Sequence, residues 1–214
     1  MKITIDEFKQ AFIQIADKIE QEKEYLSELD RALGDGDHGV TMSIGWQAVK
    51  KKLDEWQGQD PGELCKVVGM TFLNAVGSTV GPLYATAFIR GGAVLQGKTE
   101  LSEEDIIQFW DAAVKGMVDR GKAKIGEKTM IDTWLPAIVA LKEAKEEGNT
   151  LMDCLQAAVT AGEAGMKSTT DMLSQKGRSS RLGDRALGHQ DPGATSAYLI
   201  LETFFNAVKS IKSA

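Results

Sequence analysis

The chain has 214 residues, a formal net charge of -6 and 43% hydrophobic residues, enough apolar material for a sizeable core in one domain or at most two small ones. The acidic balance argues against nucleic acid as the main partner, because phosphate backbones attract a basic face and no Lys/Arg cluster with interleaved aromatics occurs. Met1-Lys2-Ile3 leads straight into an amphipathic segment, no apolar run approaches the roughly 18 residues of a membrane span, and Cys65 and Cys154 form no disulfide framework; a reducing, cytoplasmic setting without signal peptide or membrane is expected.

Thr4-Ile5-Asp6-Glu7 has the spacing of a capping box, and Phe8, Phe12, Ile13, Ile15 and Ile19 follow at helical intervals. Helical character resumes through Tyr25, Leu26 and Leu29 as far as Asp30. Met42, Ile44, Trp46 and Val49 form the next stripe, ending near Leu53 and Trp56, with Lys50-Lys51-Lys52 as its solvated, cation-favouring end. Asp60-Pro61-Gly62-Glu63 opens another helix with an Asp cap and Pro at the first position, and it runs to Gly77.

Pro82 begins a helix that continues through Leu83 to Leu95. Ser102, followed by Glu103, Glu104 and Asp105, caps a helix that ends at Asp119-Arg120-Gly121. After a basic, Gly-punctuated loop, Met130 to Glu147 reads as helix with Pro136 inside it, Thr150 to Ser174 as a long alanine-rich helix, and Asp191-Pro192 as the capped start of a last helix through Tyr198, Phe204 and Val208. The small residues Ala157, Ala158, Ala161, Gly162, Ala164 and Gly165 point to close helix packing. No stretch alternates with period two, so the expected fold is all-α: a single domain, residues 1–214, built as a bundle of about eight helices with the functional loops gathered at one end.

Between the second and third helical stretches, Asp30, Asp35 and Asp37 stand close together, the last two flanked by glycines. Three carboxylates this close repel one another unless a cation sits among them, and Mg2+ takes oxygen ligands of this kind. An EF-hand starting at Asp35 is excluded, because its fifth and twelfth positions hold Gly39 and Trp46. The lack of a CxxC and the wide separation of His38 and His189 argue against zinc. Gly77-Ser78-Thr79-Val80-Gly81-Pro82-Leu83 offers backbone amides at a helix start, which suits a phosphate.

Gly92-Ala93-Val94-Leu95-Gln96-Gly97-Lys98-Thr99 satisfies the Walker A pattern, but a P-loop follows a buried strand and enters a helix at its Lys-Thr. Here a helix precedes it and the next helix starts at Ser102, so the match is read as coincidence. The segment from Lys176 to Ser196 is too long and polar for a simple connection and is read as functional.

Four of these stretches carry a family resemblance: LDRALGDGDHGVT from Leu29 to Thr41, GPLYAT from Gly81 to Thr86, GKAKIGEKTM from Gly121 to Met130, and GHQDPGATS from Gly188 to Ser196. In this order they resemble the nucleotide-binding L subunits of dihydroxyacetone kinases, over nearly the whole chain. The resemblance implies a barrel of eight antiparallel helices with ADP or ATP, tightly bound, and two Mg2+ ions at its open end. It implies Asp30, Asp35 and Asp37 as metal ligands. His38, Gly39, Val40, Thr41, Thr79 and Val80 would hold phosphates, Gly121 and Met130 would line the adenine and ribose side, and Arg178, Asp191, Pro192 and Gly193 would close over the nucleotide. Nothing is catalytic beyond the metal and nucleotide site. One departure stands out: the family usually has serine before Gly-Pro-Leu, whereas this chain has Val80, which leaves the backbone N–H and the neighbouring Ser78 and Thr79 hydroxyls.

Phosphoryl transfer needs metal ions on the phosphate oxygens and donors around the developing charge, and the acidic loop, the helix starts and Arg178 supply those parts. No site for activating a triose is evident. The resemblance therefore implies two partners: a K subunit holding dihydroxyacetone, and an M subunit whose phosphohistidine rephosphorylates bound ADP. The competing readings are an L-type domain of an ATP-dependent kinase with another acceptor, such as a fatty acid, and a nucleotide-binding regulatory module for a transcription factor.

Overall fold

The computed structural model describes residues 2–213. Among them are nine α-helices and two three-residue strands: β1 (Lys2–Thr4), α1 (Ile5–Gln21), α2 (Lys23–Leu33), α3 (His38–Asp54), α4 (Pro61–Ala75), α5 (Val80–Ala93), β2 (Glu100–Ser102), α6 (Glu103–Gly121), α7 (Ile131–Glu146), α8 (Leu151–Ser168) and α9 (Pro192–Ser213). The protein is all-α. The count passes the expected eight because α1 and α2 break at Glu22 and count separately. None of the described helices is long and apolar enough to cross a membrane.

The capping chemistry sets the helix starts where the sequence put them. Thr4 Oγ1 accepts the Glu7 N–H at 3.2 Å while the Glu7 carboxylate accepts the Thr4 N–H at 2.7 Å. Asp60 Oδ1 accepts from the Gly62 and Glu63 N–H groups, and Ser102 and Asp105 cap α6 reciprocally. Two of the helix boundaries shift. Helix α5 starts at Val80, two residues before Pro82, which then occupies the first turn, where its missing N–H is no loss. Helix α8 stops at Ser168, not Ser174, and a single 3-10 turn follows over Thr169–Asp171. The segment after it contains two further 3-10 turns, Arg178–Arg181 and Gly183–Ala186. The two strands escaped the period-two test because three residues are too few to show a period; they pair antiparallel, Ile3 opposite Leu101.

The chain divides into two compact units. The first comprises Met1–Asp17, Ile44–Lys122 and Thr203–Ala214. Its core is a set of edge-to-face aromatic rings: Phe8 meets Phe12, Phe109 and Phe204, while Trp46 meets Phe72 and Phe88. This is the geometry that places ring edges against ring faces. Helix α5 packs on α4 and on α6.

The second unit comprises Lys18–Ser43 and Ala123–Glu202. Helices α7 and α8 pack against each other in it, and the small residues of α8 make that possible. A Cβ added at Gly165 would stand 1.9 Å from the Asp132 carbonyl oxygen. Pro136, inside α7, has no N–H for that carbonyl to accept from four residues earlier. The glycine thus lies where the proline has interrupted the ladder.

Candidate functional site

All the polar chemistry of the acidic loop lies within the second unit. Helix α2 extends past Asp30 to Leu33, and α3 begins at His38, so only four residues, Gly34 to Asp37, connect them. Gly36 takes a φ of 77°, the left-handed region that turns the chain between the two aspartates. A Cβ on Gly39 would fall 1.9 Å from the Lys23 carbonyl oxygen, so the first turn of α3 lies directly against α2. The result is that Asp30, Asp35 and Asp37 each offer a carboxylate oxygen within 4.8 Å of the others.

A cation already faces this group. Arg178 Nη1 is paired with Asp35 Oδ2 and lies 3.8 Å from Asp37 Oδ2. Asp30 Oδ2 accepts the His38 backbone N–H at 3.2 Å. The His38 imidazole Nε2 meets the buried Ser196 Oγ at 3.0 Å, and burial pushes it down to about 4, against the pull of Asp30 and the Pro192 carbonyl. It is a neutral ring at pH 7. Convergent carboxylates facing a guanidinium form a donor set of hard oxygens, which fits Mg2+.

Asp191 caps α9, its Oδ2 accepting the Ala194 N–H at 2.7 Å, and its own N–H donates to Thr169 Oγ1 at 2.9 Å. Burial pushes its carboxyl up to about 7, against the opposing pull of the Ala194 N–H and Lys128. Pro192 is buried in the first turn of α9, and Gly193 lies beside Met130, its absent Cβ 3.7 Å from the Met130 N. Val40 is exposed and Thr41 half-buried on the first turn of α3. The second unit therefore holds together Asp30, Asp35, Asp37 and Arg178 as one cluster, and Met130 with Gly193 as a pair.

Thr79, Val80 and Gly121 belong to the first unit. Thr79 is exposed and precedes α5 without a side-chain capping bond, and Val80 is the first residue of that helix. Gly121 ends α6 and lies against Leu83 of α5, to whose Cδ2 an added Cβ would come within 3.0 Å.

Three residues that the sequence reading passed over prove important here. Ser196 is the partner of His38. Asp132 accepts the Gly126 N–H at 2.6 Å and the Thr129 N–H at 2.7 Å, fixing the loop before α7; Thr129-x-x-Asp132 has capping-box spacing, which was the signal for it. Lys128, only 1% exposed, inserts its ammonium among main-chain carbonyls. Its sequence neighbourhood gave no sign of that.

The Walker-like stretch holds no phosphate cradle. Gly92 is inside α5 against Cys65, the Gly97 N–H is taken by Asp60 Oδ2 at 2.7 Å, and Lys98 pairs with Asp105 at 2.9 Å. Lys98→Ala is expected to leave nucleotide binding unchanged and to lower stability by about 1 kcal/mol, since Lys98 is itself 39% exposed and the buried Asp105 carboxylate keeps its two bonds from Ser102. A loss of binding as deep as that of Asp37→Ala, measured by titration calorimetry, would restore the P-loop reading.

The DAK2 domain pattern matches residues 32–206. The chain belongs to the DAK2 family. It is 40% identical over 188 residues to the ADP-binding subunit DhaL of the PEP-dependent dihydroxyacetone kinase of Escherichia coli K12, covering 88% of this chain and 90% of that protein. It is 34% identical to the corresponding DhaL subunit of the PTS-dependent kinase of Lactococcus lactis, covering 96% and 99%. As a member of this DAK2 family of kinase subunits the chain is a phosphotransferase component. The crystal structure of the C. freundii dihydroxyacetone kinase in complex with AMP-PNP and Mg2+ shares its fold, with a TM-score of 0.70 at 25% identity. That match covers 92% of this DAK2 chain but only 33% of the crystal structure's chain, so this chain spans about a third of that enzyme's length.

Proposed function

We propose that this DAK2 chain is the nucleotide-binding subunit of a multi-subunit dihydroxyacetone kinase, acting in the cytoplasm as a single nucleotide-binding domain. It takes a phosphoryl group from a phosphohistidine on an M subunit onto tightly bound ADP and passes it to dihydroxyacetone held by a K subunit. The observation that carries this reading is the convergence of Asp30, Asp35 and Asp37 within 4.8 Å, with Arg178 against them. The names of the DhaL relatives and the AMP-PNP and Mg2+ complex of the C. freundii enzyme support it.

On this reading the three aspartates would hold two Mg2+ ions, whose charge would polarise the phosphate oxygens and offset the charge developing on them. His38, Gly39, Val40 and Thr41, as the first turn of α3, present N–H groups and the positive end of a helix to phosphate. The neutral His38 ring, held by Ser196, orients rather than carries charge. Arg178, with an exposed and planar fork, neutralises phosphate oxygens, and Asp191, Pro192, Gly193 and Met130 shape the nucleotide's edge. Thr79, Val80 and Gly121 keep the nucleotide-binding role that the family resemblance implies for them.

The test is to load the purified chain with labelled ADP and Mg2+, add a phosphorylated M-type donor, quench, and separate protein from nucleotide. Label recovered as ATP with the protein is the expected result. An acid-labile phosphate on His38 or His189 with the ADP unchanged would overturn the reading, because the chain would then carry phosphate itself. Native mass spectrometry of the same material is expected to show one nucleotide and two Mg2+ ions per chain.

A further inference from the structure

The stretch that carries Arg178 has almost no core of its own. Between Met172 and Asp191 only Ser174 and Ala186 are buried, and Leu173 and Leu187 are exposed. A polar segment of this length, with two short 3-10 turns, does not hold its conformation by burying apolar surface. What it does have is Lys128. The Lys128 Nζ reaches the carbonyl oxygens of Thr169 at 2.8 Å, Met172 at 3.2 Å, Ala186 at 2.6 Å and His189 at 2.5 Å. These carbonyls come from both ends of the segment, before and after Arg178.

An ammonium has three N–H bonds, and here it faces four oxygens, so the contact is more that of an ion with its ligands than of directed hydrogen bonds. Among the described residues no carboxylate is within bonding distance of it, and Asp191 and Asp171 act on it only through space. Rings of main-chain carbonyls at such distances are the means by which proteins replace the hydration shell of a potassium ion. Lys128 also has a φ of 59°, rare for a residue with a side chain, which fits a backbone held in place by what the side chain does.

We infer that the Lys128 ammonium is a tethered monovalent cation: it fills a cage of main-chain carbonyls that would otherwise accept a potassium or ammonium ion, and the cage positions Arg178 at Asp35 and Asp37. Lys128 is a positioning residue, since it reaches the acidic cluster only through the segment it anchors. The consequence for nucleotide binding rests on the function proposed above, whereas the cage itself does not.

The experiment compares Lys128→Ala, which empties the cage, with Lys128→Met, which fills it without charge. Both are digested with trypsin, timing cleavage after Arg178, Arg181 and Arg185, in tetramethylammonium chloride and in potassium or ammonium chloride at equal ionic strength. In tetramethylammonium both variants are expected to be cut about tenfold faster than the native chain, because cleavage follows the population of the opened segment. Potassium or ammonium ions are expected to return Lys128→Ala to within about twofold of native while leaving Lys128→Met fast. Native-like cleavage of both variants, or fast cleavage of Lys128→Ala indifferent to the ion, overturns the inference. If Lys128→Ala fails to fold in tetramethylammonium, recovery of its helical circular dichroism on adding potassium supports the cage and lack of recovery overturns it. Mg2+-dependent ADP affinity is measured in the same salts. Cleavage that follows the ion while ADP affinity does not would leave the cage standing and overturn the placement of Arg178 at the nucleotide.

Discussion

Replacing Asp35 or Asp37 by alanine is expected to weaken Mg2+-dependent ADP binding about 100-fold or more while leaving the helical circular dichroism of the chain intact. The two effects separate because the aspartates stand on a short connection and keep half or more of their side-chain surface exposed, 50% and 61%. Arg178, which pairs with them, is itself 69% exposed, and an exposed pair contributes under about 1 kcal/mol to folding. Removing one carboxylate also relieves repulsion among the three. A hard cation, by contrast, loses one of its few charged ligands, and even changes one shell further out cost about 10- to 100-fold in metal affinity. Asp30→Ala is expected to differ in one respect: it also loses the acceptor of the His38 N–H and so destabilises the start of α3. Calorimetric titration of ADP with and without Mg2+ decides the matter; normal affinity in either Asp35→Ala or Asp37→Ala would remove these residues from the metal site.

Gly165→Ala is expected to destabilise the protein by about 3 kcal/mol, lowering Tm by roughly 6–12 °C for a chain of this size. Helix propensity pulls the other way, since alanine in place of glycine inside a helix gains about 1 kcal/mol. The new methyl, however, would fall 1.9 Å from the Asp132 carbonyl oxygen, and backbone in a packed pair of helices cannot swing aside as a side chain can. Helices α7 and α8 must separate, and that loosens the Asp132 carboxylate that fixes the loop bearing Lys128. Gly77→Ala is the control. No atom lies within 4 Å of an added Cβ there, and its stability is expected to stay within about 0.5 kcal/mol of native. Equal melting temperatures for the two variants in a thermal scan would show that the α7–α8 contact yields more than its geometry implies.

The parts of this protein that local rules govern were legible in the sequence. Caps at Thr4, Asp60, Ser102 and Asp191 depend on residues two or three positions away, and each was found where its spacing placed it. The acidic cluster was legible for the same reason: Gly34, Gly36 and two neighbouring aspartates set their own turn. Where the outcome depended on competition, the reading slipped. Alanine-rich sequence favoured extending α8 to Ser174, but Thr169 turns inward, its carbonyl held by Lys128 and its hydroxyl by the Asp191 N–H, and the helix ends.

The sequence by itself determined an all-α protein, the capped helix starts at Thr4, Asp60, Ser102 and Asp191, the three aspartates with their glycines, and the helical context that sets the Walker-like stretch apart from a P-loop, because each follows from side chains acting on their own or adjacent turns. Only the tertiary structure decided that Arg178 faces Asp35 and Asp37, that Ser196 holds His38, that Gly165 seats on the Asp132 carbonyl, and that Lys128 turns inward. Those contacts join residues 33 to 158 positions apart. A buried lysine ligated by carbonyls leaves no pattern in the chain, since every residue has a carbonyl and only the folded path of the backbone determines which ones converge.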